Sequence, residues 1–508
     1  MDRLPDDGSR PSHAQVLVVG GGPVGMLVAA ELGHHGIDTV VLEAAPHTVD
    51  QPKAGTLHAR TVQGLARRGH LQARPATPER LRRSSADAFH FAGMPGLVIT
   101  APATEPGPIV GRSQADLERD FERLARARGV TVLRGHRVTA VTQGPERVEV
   151  TAQGPDGTRH FTAEYAVGAD GARSTVRELL GFAEDTHPAT VSALLGLVRL
   201  TDPDSVPHGW HRTPRGWTVA GVNPYGHSRF ITIDFRGPHP DRHAEPTVGE
   251  LSREGERILG HAVPMTDPVF FSRFSDFARL VRDYRKGRVF LAGDAAHVHF
   301  PVGGQGLNLG LQDALNLSWK LAHVLAGTAG KDLLDTYDTE RRPAGRRVID
   351  NTRAQLALMR PDPGLDPLRD LVTELLGLEE VNTRLGHMIS AQETAYPART
   401  APGSTWEGRF LPNLPLTTRD GPTDLTRLLL PGRPLLLLLG EDASGNGTGA
   451  GHRADAAGWA HVLHTVTAAS ATPLPWEAVL VRPDGYVAWD SDGGPLADAL
   501  RQWFGEAR

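Results

Sequence analysis

Apolar and polar residues recur along this chain with changing periods, and the order of those periods predicts its layout. Residues 15–19, apolar without a break from Val16, have the pattern of a parallel strand buried on both faces. A helix is predicted from about 23 to 35, packed through Met26, Leu27, Ala29, Ala30 and Leu32 and stopped by Gly36. A second strand, 39–42, ends in Glu43. Amphipathic helices come next, from about 58 to 68 and from Gln114, where Leu117, Phe121 and Leu124 mark one face. Residues 165–168 and 288–292 are further short strands. Between about 191 and 274 the period falls to two, with candidate strands at 192–200, 216–223 and 228–236. An apolar helix spans 313–325, and helical sequence runs on to about 393. Proline and glycine are dense around 401–432, the mark of a linker. Beyond it the pattern predicts strand 434–439, loop 441–451, helix 454–463, strand 478–482, turn 483–485, strand 486–489 and helix 495–504.

Glycine-rich turns close three of these strands. Gly20-Gly21-Gly22-Pro23-Val24-Gly25 fits G-x-G-x-x-G through Gly20, Gly22 and Gly25, where bare backbone at a helix N-terminus accepts a diphosphate. Glu43 lies about 20 residues on, where a carboxylate holds ribose hydroxyls and repels a 2′-phosphate. The second turn is carried by Asp170 and Gly171; Arg173 and Arg177, one helical turn apart, could share a face there. Asp170 and Ser174 also suit a helix cap. The third reads Gly293-Asp294-Ala295-Ala296-His297, then Phe300-Pro301-Val302-Gly303-Gly304-Gln305-Gly306-Leu307-Asn308. An ionised Asp294 only accepts hydrogen bonds and suits a hydroxyl-rich ligand. The glycines let backbone N–H groups approach a flat or anionic group. Together the three turns point to one flat, diphosphate-linked cofactor, FAD, with Lys53 and Gln114 as supporting contacts.

Composition narrows the picture. The length of 508 residues implies two or three domains. A net charge of -5 gives no reason to expect nucleic acid. The absence of cysteine excludes disulfides, thiolate metal sites and thiol catalysis. His297 and His299 form an H-x-H pair with no third ligand evident, so no metal is expected. The longest apolar run, 434–439, is far too short to span a bilayer, and the first dozen residues lack a signal-peptide pattern, so a cytoplasmic setting without membrane contact is expected. The period-two segment lies between two cofactor-binding portions and is expected to cover the flavin's reacting face. Trp210, Trp217, Tyr225, Phe230, Phe235, Phe270 and Phe271 are its candidate pocket residues, most of them expected to be core. His211, Tyr225, His227 and Pro301 are the candidate catalytic residues; imidazole titrates near neutral pH and can assist deprotonation of a phenol.

The run from Tyr284 through Asp294 to Lys320, and the later Tyr337-Asp338-Thr339-Glu340-Arg341-Arg342-Pro343, resemble the class A flavoprotein aromatic hydroxylases, typified by para-hydroxybenzoate and phenol hydroxylases. The resemblance covers residues 15–355 and looks nearest to bacterial hydroxylases that tailor angucyclines, anthracyclines and tetracyclines, and to rifampicin monooxygenases. It implies that Gly20, Gly22, Gly25 and Glu43 hold the ADP half of FAD, with Val24, Ala44 and Val138 in the same site. Lys53 stands near the pyrophosphate where the family has arginine, keeping charge but losing the planar fork. Gln114 would face the ribityl or flavin region, Asp170 and Gly171 the motif tied to both FAD and NAD(P)H, and Asp294 the ribityl hydroxyls. Gly293, Pro301, Gly303, Gly304, Gly306, Leu307 and Asn308 would line the isoalloxazine ring.

The implied reaction uses NADPH or NADH as a transient reductant and O2 as co-substrate. A flavin C4a-hydroperoxide then hydroxylates an aromatic, polyketide-like substrate. No side chain need be a nucleophile, in keeping with the absence of G-x-S-x-G. Baeyer–Villiger oxygenation, inactivation of an aromatic antibiotic, and a non-catalytic flavin-binding role are the alternatives; a halogenase would need W-x-W-x-I-P, which the chain lacks. The predicted fold is α/β. A Rossmann-like FAD-binding domain spans 13–190 and 275–395, with 75–110 contributing to the substrate side. A substrate-binding β-sheet domain is inserted over 191–274, and a C-terminal thioredoxin-like domain without cysteines covers 396–508. Oligomeric state is left open, a homodimer being one option.

Overall fold

A computed structural model of the protein describes residues 12–71, 86–241, 244–400, 404–439 and 449–508. Five parallel strands form the core of its eight-stranded central sheet: β1 (Ser12–Val19), β2 (Thr39–Glu43), β3 (Thr131–Arg134), β4 (Gly157–Gly168) and β5 (Val289–Leu291). They lie side by side in the order β5-β4-β1-β2-β3. Between β1 and β2 runs α1 (Pro23–His34), whose residues from Gly25 to Gly33 are all buried. A helix apolar on every side can only sit between layers. Register aligns the strand ends: Val19 stands opposite Gly168, and Gly168 opposite Leu291. Three turns separated by well over a hundred residues each therefore leave the same sheet edge side by side.

Beyond β5, α2 (Gln305–Leu325) packs on α1, and α3 (Asp335–Met359) packs on α2. The helical stretch expected up to about 393 is completed by Asp366–Leu376 and Glu379–Ile389.

The period-two segment is an antiparallel sheet in the order Gly209–Thr213, Gly216–Gly221, Ser228–Asp234, Ser192–Leu200, Met265–Ser275. Three of these strands match expectation; Gly209–Thr213 and Met265–Ser275 do not appear in the hydrophobic pattern. The first is short and polar, and the second carries Pro268, which argues against a strand when read alone. One face of the sheet packs on the helix Val248–Leu259 through Leu194, Val198, Phe230 and Leu251. The other face packs Val191, Ala193, Leu195, Trp217 and Ile231 with Phe300 and Val302 of the third turn and with Leu356 and Met359 of α3.

The C-terminal sheet has the order Gly421–Asp424, Pro415–Thr418, His464–Ser470, Leu435–Leu439, Ala478–Val481, Val487–Asp490. Leu435–Leu439 runs parallel to His464–Ser470 and antiparallel to Ala478–Val481, and Leu496–Phe504 packs against Val487–Asp490. The helix expected over 454–463 lies instead at Gly449–Asp455, with a short turn after it at Ala457–Trp459. His464–Ser470 is mostly half-buried and weakly apolar, so periodicity does not reveal it. The expected linker holds a hairpin and the helix Leu425–Leu429. Most of the loop expected at 441–451 lies outside the described residues, as do 75–85 of the segment assigned to the substrate side. Among the described residues, no helix is long and apolar enough to cross a membrane, and no group of acids and histidines could hold a metal ion.

Candidate active site

The shared sheet edge brings the three glycine turns into contact. A Cβ on Gly20, which has φ +105°, would stand 2.3 Å from the Ala169 carbonyl oxygen and 2.7 Å from the Asp170 Cα. One on Gly25 would lie 2.0 Å from the Gly20 oxygen. Only glycine permits this spacing, so the first and second turns are pressed together by backbone. The third joins through Val24, whose Cγ2 would meet a Cβ on Gly293 at 3.1 Å.

A cavity of about 200 Å³ opens over the first turn, lined by Gly21, Gly22, Glu43, Ala45, Lys53 and Gln114, among others. Glu43 closes β2 and its carboxylate accepts from the N–H of Gly21 at 2.5 Å and of Ala45 at 2.6 Å. Lys53 is near enough to Asp294 that its charge lowers the Asp294 carboxyl, although burial, the larger effect, raises it overall. The Asp294 side chain is open to solvent, although the residues crowded around it raise its carboxyl. Asp170 accepts from the Val176 N–H at 3.1 Å through one oxygen; the other is buried without a partner among the described residues, and burial raises this carboxyl too.

The third turn ends in two successive left-handed glycines, Gly303 at φ +78° and Gly304 at φ +63°, which hand the chain into α2. His58 donates from Nε2 to the Gly303 carbonyl at 2.8 Å, since a carbonyl can only accept. That bond fixes the tautomer and leaves a buried, unpartnered Nδ1 acceptor. His299 Nδ1 donates to the Phe300 carbonyl at 2.9 Å and leaves Nε2 likewise. Burial holds both imidazoles down to about 4, so both are neutral at physiological pH. The Gln305 amide has no protein partner among the described residues either.

Two segments match family models: residues 13–352 an FAD binding domain and residues 404–507 the C-terminal domain of aromatic-ring hydroxylases. The chain belongs to the FAD-dependent aromatic-ring hydroxylases. A Streptomyces rimosus enzyme named 12-dehydrotetracycline 5-monooxygenase/anhydrotetracycline 6-monooxygenase is 38% identical over 96% of this chain and 98% of its own. A rifampicin monooxygenase of Streptomyces venezuelae is 37% identical over 97% of this chain and 99% of its own. The solved structure of an aromatic hydroxylase from angucycline biosynthesis superposes with a TM-score of 0.87, at 36% identity, over 98% of this chain and 100% of that one.

The groove of this hydroxylase fits FAD on its own terms. It offers a glycine cradle at a helix N-terminus, the basic Lys53 and the carboxylate of Glu43, while the second and third turns hold buried, unpartnered acceptors on Asp170, His58 and His299. Such groups suit an anionic, hydroxyl-bearing, flat ligand. Several sequence expectations need correction. Asn308 spends its side chain on Thr56, His58 and Gly304 and so braces the turn, which leaves any contact with the ring to the backbone. The helix after the second turn starts at Thr175, capped by Ser174, so exposed Arg173 and buried Arg177 share no face. Tyr225 is 94% exposed and walls no pocket. His227 pairs on the surface with Asp267 at 2.9 Å. His211 alternates with Trp210 along its strand and points to the opposite sheet face. Phe230 and Phe271 belong to the core under Val248–Leu259, on the face turned away from the third turn.

His58, His299, Arg134 and Glu118 are the residues that sequence reasoning missed. The last two line the cavity, where Arg134 donates to Glu118 at 2.9 Å. Their only signal was position: His58 opens the helix before the second half of the site, and Arg134 closes a strand beside β2.

Proposed function

We propose that this hydroxylase is a monooxygenase that uses NADPH or NADH and O2 to add one oxygen atom to the ring of a polycyclic, polyketide-type aromatic. The observation that carries the reading is the convergence of the three turns at one sheet edge, next to an apolar cluster packed between the antiparallel sheet and α3. The order of strands around α1 supports a Rossmann-like reading of 13–190 with 275–395, and a substrate role for 191–274. The order Val487–Asp490, Ala478–Val481, Leu435–Leu439, His464–Ser470 supports a thioredoxin-like reading of 396–508.

The redox chemistry comes from the flavin, which when bound accepts hydride equivalents and activates oxygen. The protein binds, orients and keeps water out. Glu43 would hold ribose hydroxyls, Lys53 the diphosphate, Asp294 the ribityl chain, and the N–H groups at the N-terminus of α2 the carbonyl-bearing pyrimidine end of the ring system. Gln114 would reach the ribityl side, and Asp170 with Gly171 would border the diphosphate. Neutral His58 and His299 offer acceptors to N–H groups. Phe300, Val302, Trp217, Leu356 and Met359 pack into a buried apolar cluster behind the third turn, which would keep water from that side of the site. Trp217 is locked there by donating to the Met359 carbonyl at 2.6 Å. A cytoplasmic site of action accords with a pathway of diffusible aromatic intermediates.

The test is NADPH oxidation by the FAD-loaded protein over a panel of polycyclic phenols, with mass spectrometry of products. A mass gain of one oxygen on an intact ring supports the proposal. Lactone products, or no substrate-stimulated oxidation anywhere in the panel, would overturn ring hydroxylation.

A further inference from the structure

Asp313 sits fully buried on α2, in the middle of an apolar helix. A charge there persists only if it is paired and hydrogen-bonded. One oxygen accepts from the Gly293 N–H at 3.1 Å and from His297 Nε2 at 2.7 Å. The other accepts from Arg341 Nε at 2.8 Å. Gly293 and His297 bracket the turn that carries Asp294, so this one carboxylate grips the turn at both ends.

Arg341, on α3, is fully buried as well. It donates to the Leu309 carbonyl at 3.1 Å and to the Tyr396 hydroxyl at 3.1 Å. The Tyr396 ring stacks on Tyr486 at 4.1 Å and lies 5.1 Å from the Arg482 guanidinium. Arg482 in turn makes two bonds of 2.8 Å to Glu340, the residue before Arg341. Adjacent side chains on one helix therefore reach in two directions, one toward the Asp294 turn and one into the C-terminal sheet. Tyr396 joins the two.

We propose that the C-terminal portion is a positioning element for the cofactor, acting through Tyr396, Arg341 and Asp313 to fix the 293–297 turn. Burying so many charges is a poor route to stability, because desolvation offsets most of the attraction. What such a network does supply is a single defined geometry. A chain of bonds ending on the Gly293 backbone N–H puts that geometry where Asp294 must be aimed. It also gives the cysteine-free C-terminal sheet a task that needs no chemistry of its own. The inference rests on the reading that Asp294 holds FAD.

The experiment uses full-length Tyr396→Phe, Asp313→Asn and Asp294→Ala. FAD affinity is measured by fluorescence titration, the flavin midpoint potential by spectroelectrochemistry, and apoprotein melting by calorimetry. Tyr396→Phe removes one hydroxyl and keeps the ring. It is expected to weaken FAD binding about tenfold and to shift the potential, the low end of the scale of one lost hydrogen bond to a charged group. In the Asp313→Asn background the same substitution should have little further effect, since the path is already cut. If Asp313→Asn does not fold, Tyr396→Phe decides alone. A Tyr396→Phe protein that melts lower but binds FAD within about twofold of wild type, at an unchanged potential, would overturn the proposal and leave Tyr396 a purely structural residue. Loss of FAD by Asp294→Ala alongside that result would show that only the relay fails; retention of FAD by Asp294→Ala would show that the reading of Asp294 itself fails.

Discussion

Asp294 is a carboxylate open to solvent, raised by the residues crowded around it and restrained by the charges of His297, Lys53 and Arg279. Hydroxyl donors from a bound ribityl chain would satisfy it. Asp294→Ala is expected to weaken FAD binding roughly 100-fold, the loss of two charge-assisted bonds, measured by titration of apoprotein. This residue was legible because an acid between a strand and a glycine cluster has few structural uses. Tyr225 and His227 show the opposite case. Their chemistry was readable but their burial was not, because the turn between two strands decides which way they face. His58 and Asp313 escaped notice for a related reason. Each looks like an ordinary helix residue until packing sets it against Gly303 or Gly293.

At the scale of elements, the glycine turns depend on backbone contact more than on side chains. Gly25→Ala would place a methyl 2.0 Å from the Gly20 carbonyl oxygen, with no flexible neighbour to yield. The turn must open, and the expected outcome is a protein that is less soluble and fails to take up FAD, seen by spectrum after reconstitution. The strand-helix-strand unit around α1 was legible because buried parallel strands read as continuous apolar runs. The strands Gly209–Thr213 and His464–Ser470 were not, because partner strands stabilise them more than their own composition does. Between α2, α3 and the C-terminal sheet, Glu340 carries the charges of Arg482 and Lys320. Burial alone would raise its carboxyl, yet those two cations hold it at about 2. Glu340→Gln takes the carboxylate from Lys320 while Arg482 keeps Asp484 at 2.6 Å, and is expected to cost about 3 kcal/mol, measured by denaturant unfolding. In the wild type, Glu340's contribution is complete above its unfolded value of 4.5 and is lost as pH falls toward 2.

At the scale of the whole molecule, acid sensitivity begins higher than that. His58, His90, His299 and His323 are each pressed by burial from 6.5 to about 4. Their unfolded forms bind protons that the folded forms refuse. Stability is therefore full above 6.5 and declines as pH falls from there to 4, a trend that melting temperature against pH will show. The three turns and the groove between them converge on one cofactor stretched from Glu43, past Asp170, to the glycines before α2. The most direct test is to titrate stripped wild-type protein with FAD and record the bound visible spectrum and stoichiometry. The expected result is a yellow protein holding one FAD per chain; a protein that stays colourless after incubation with FAD would contradict it.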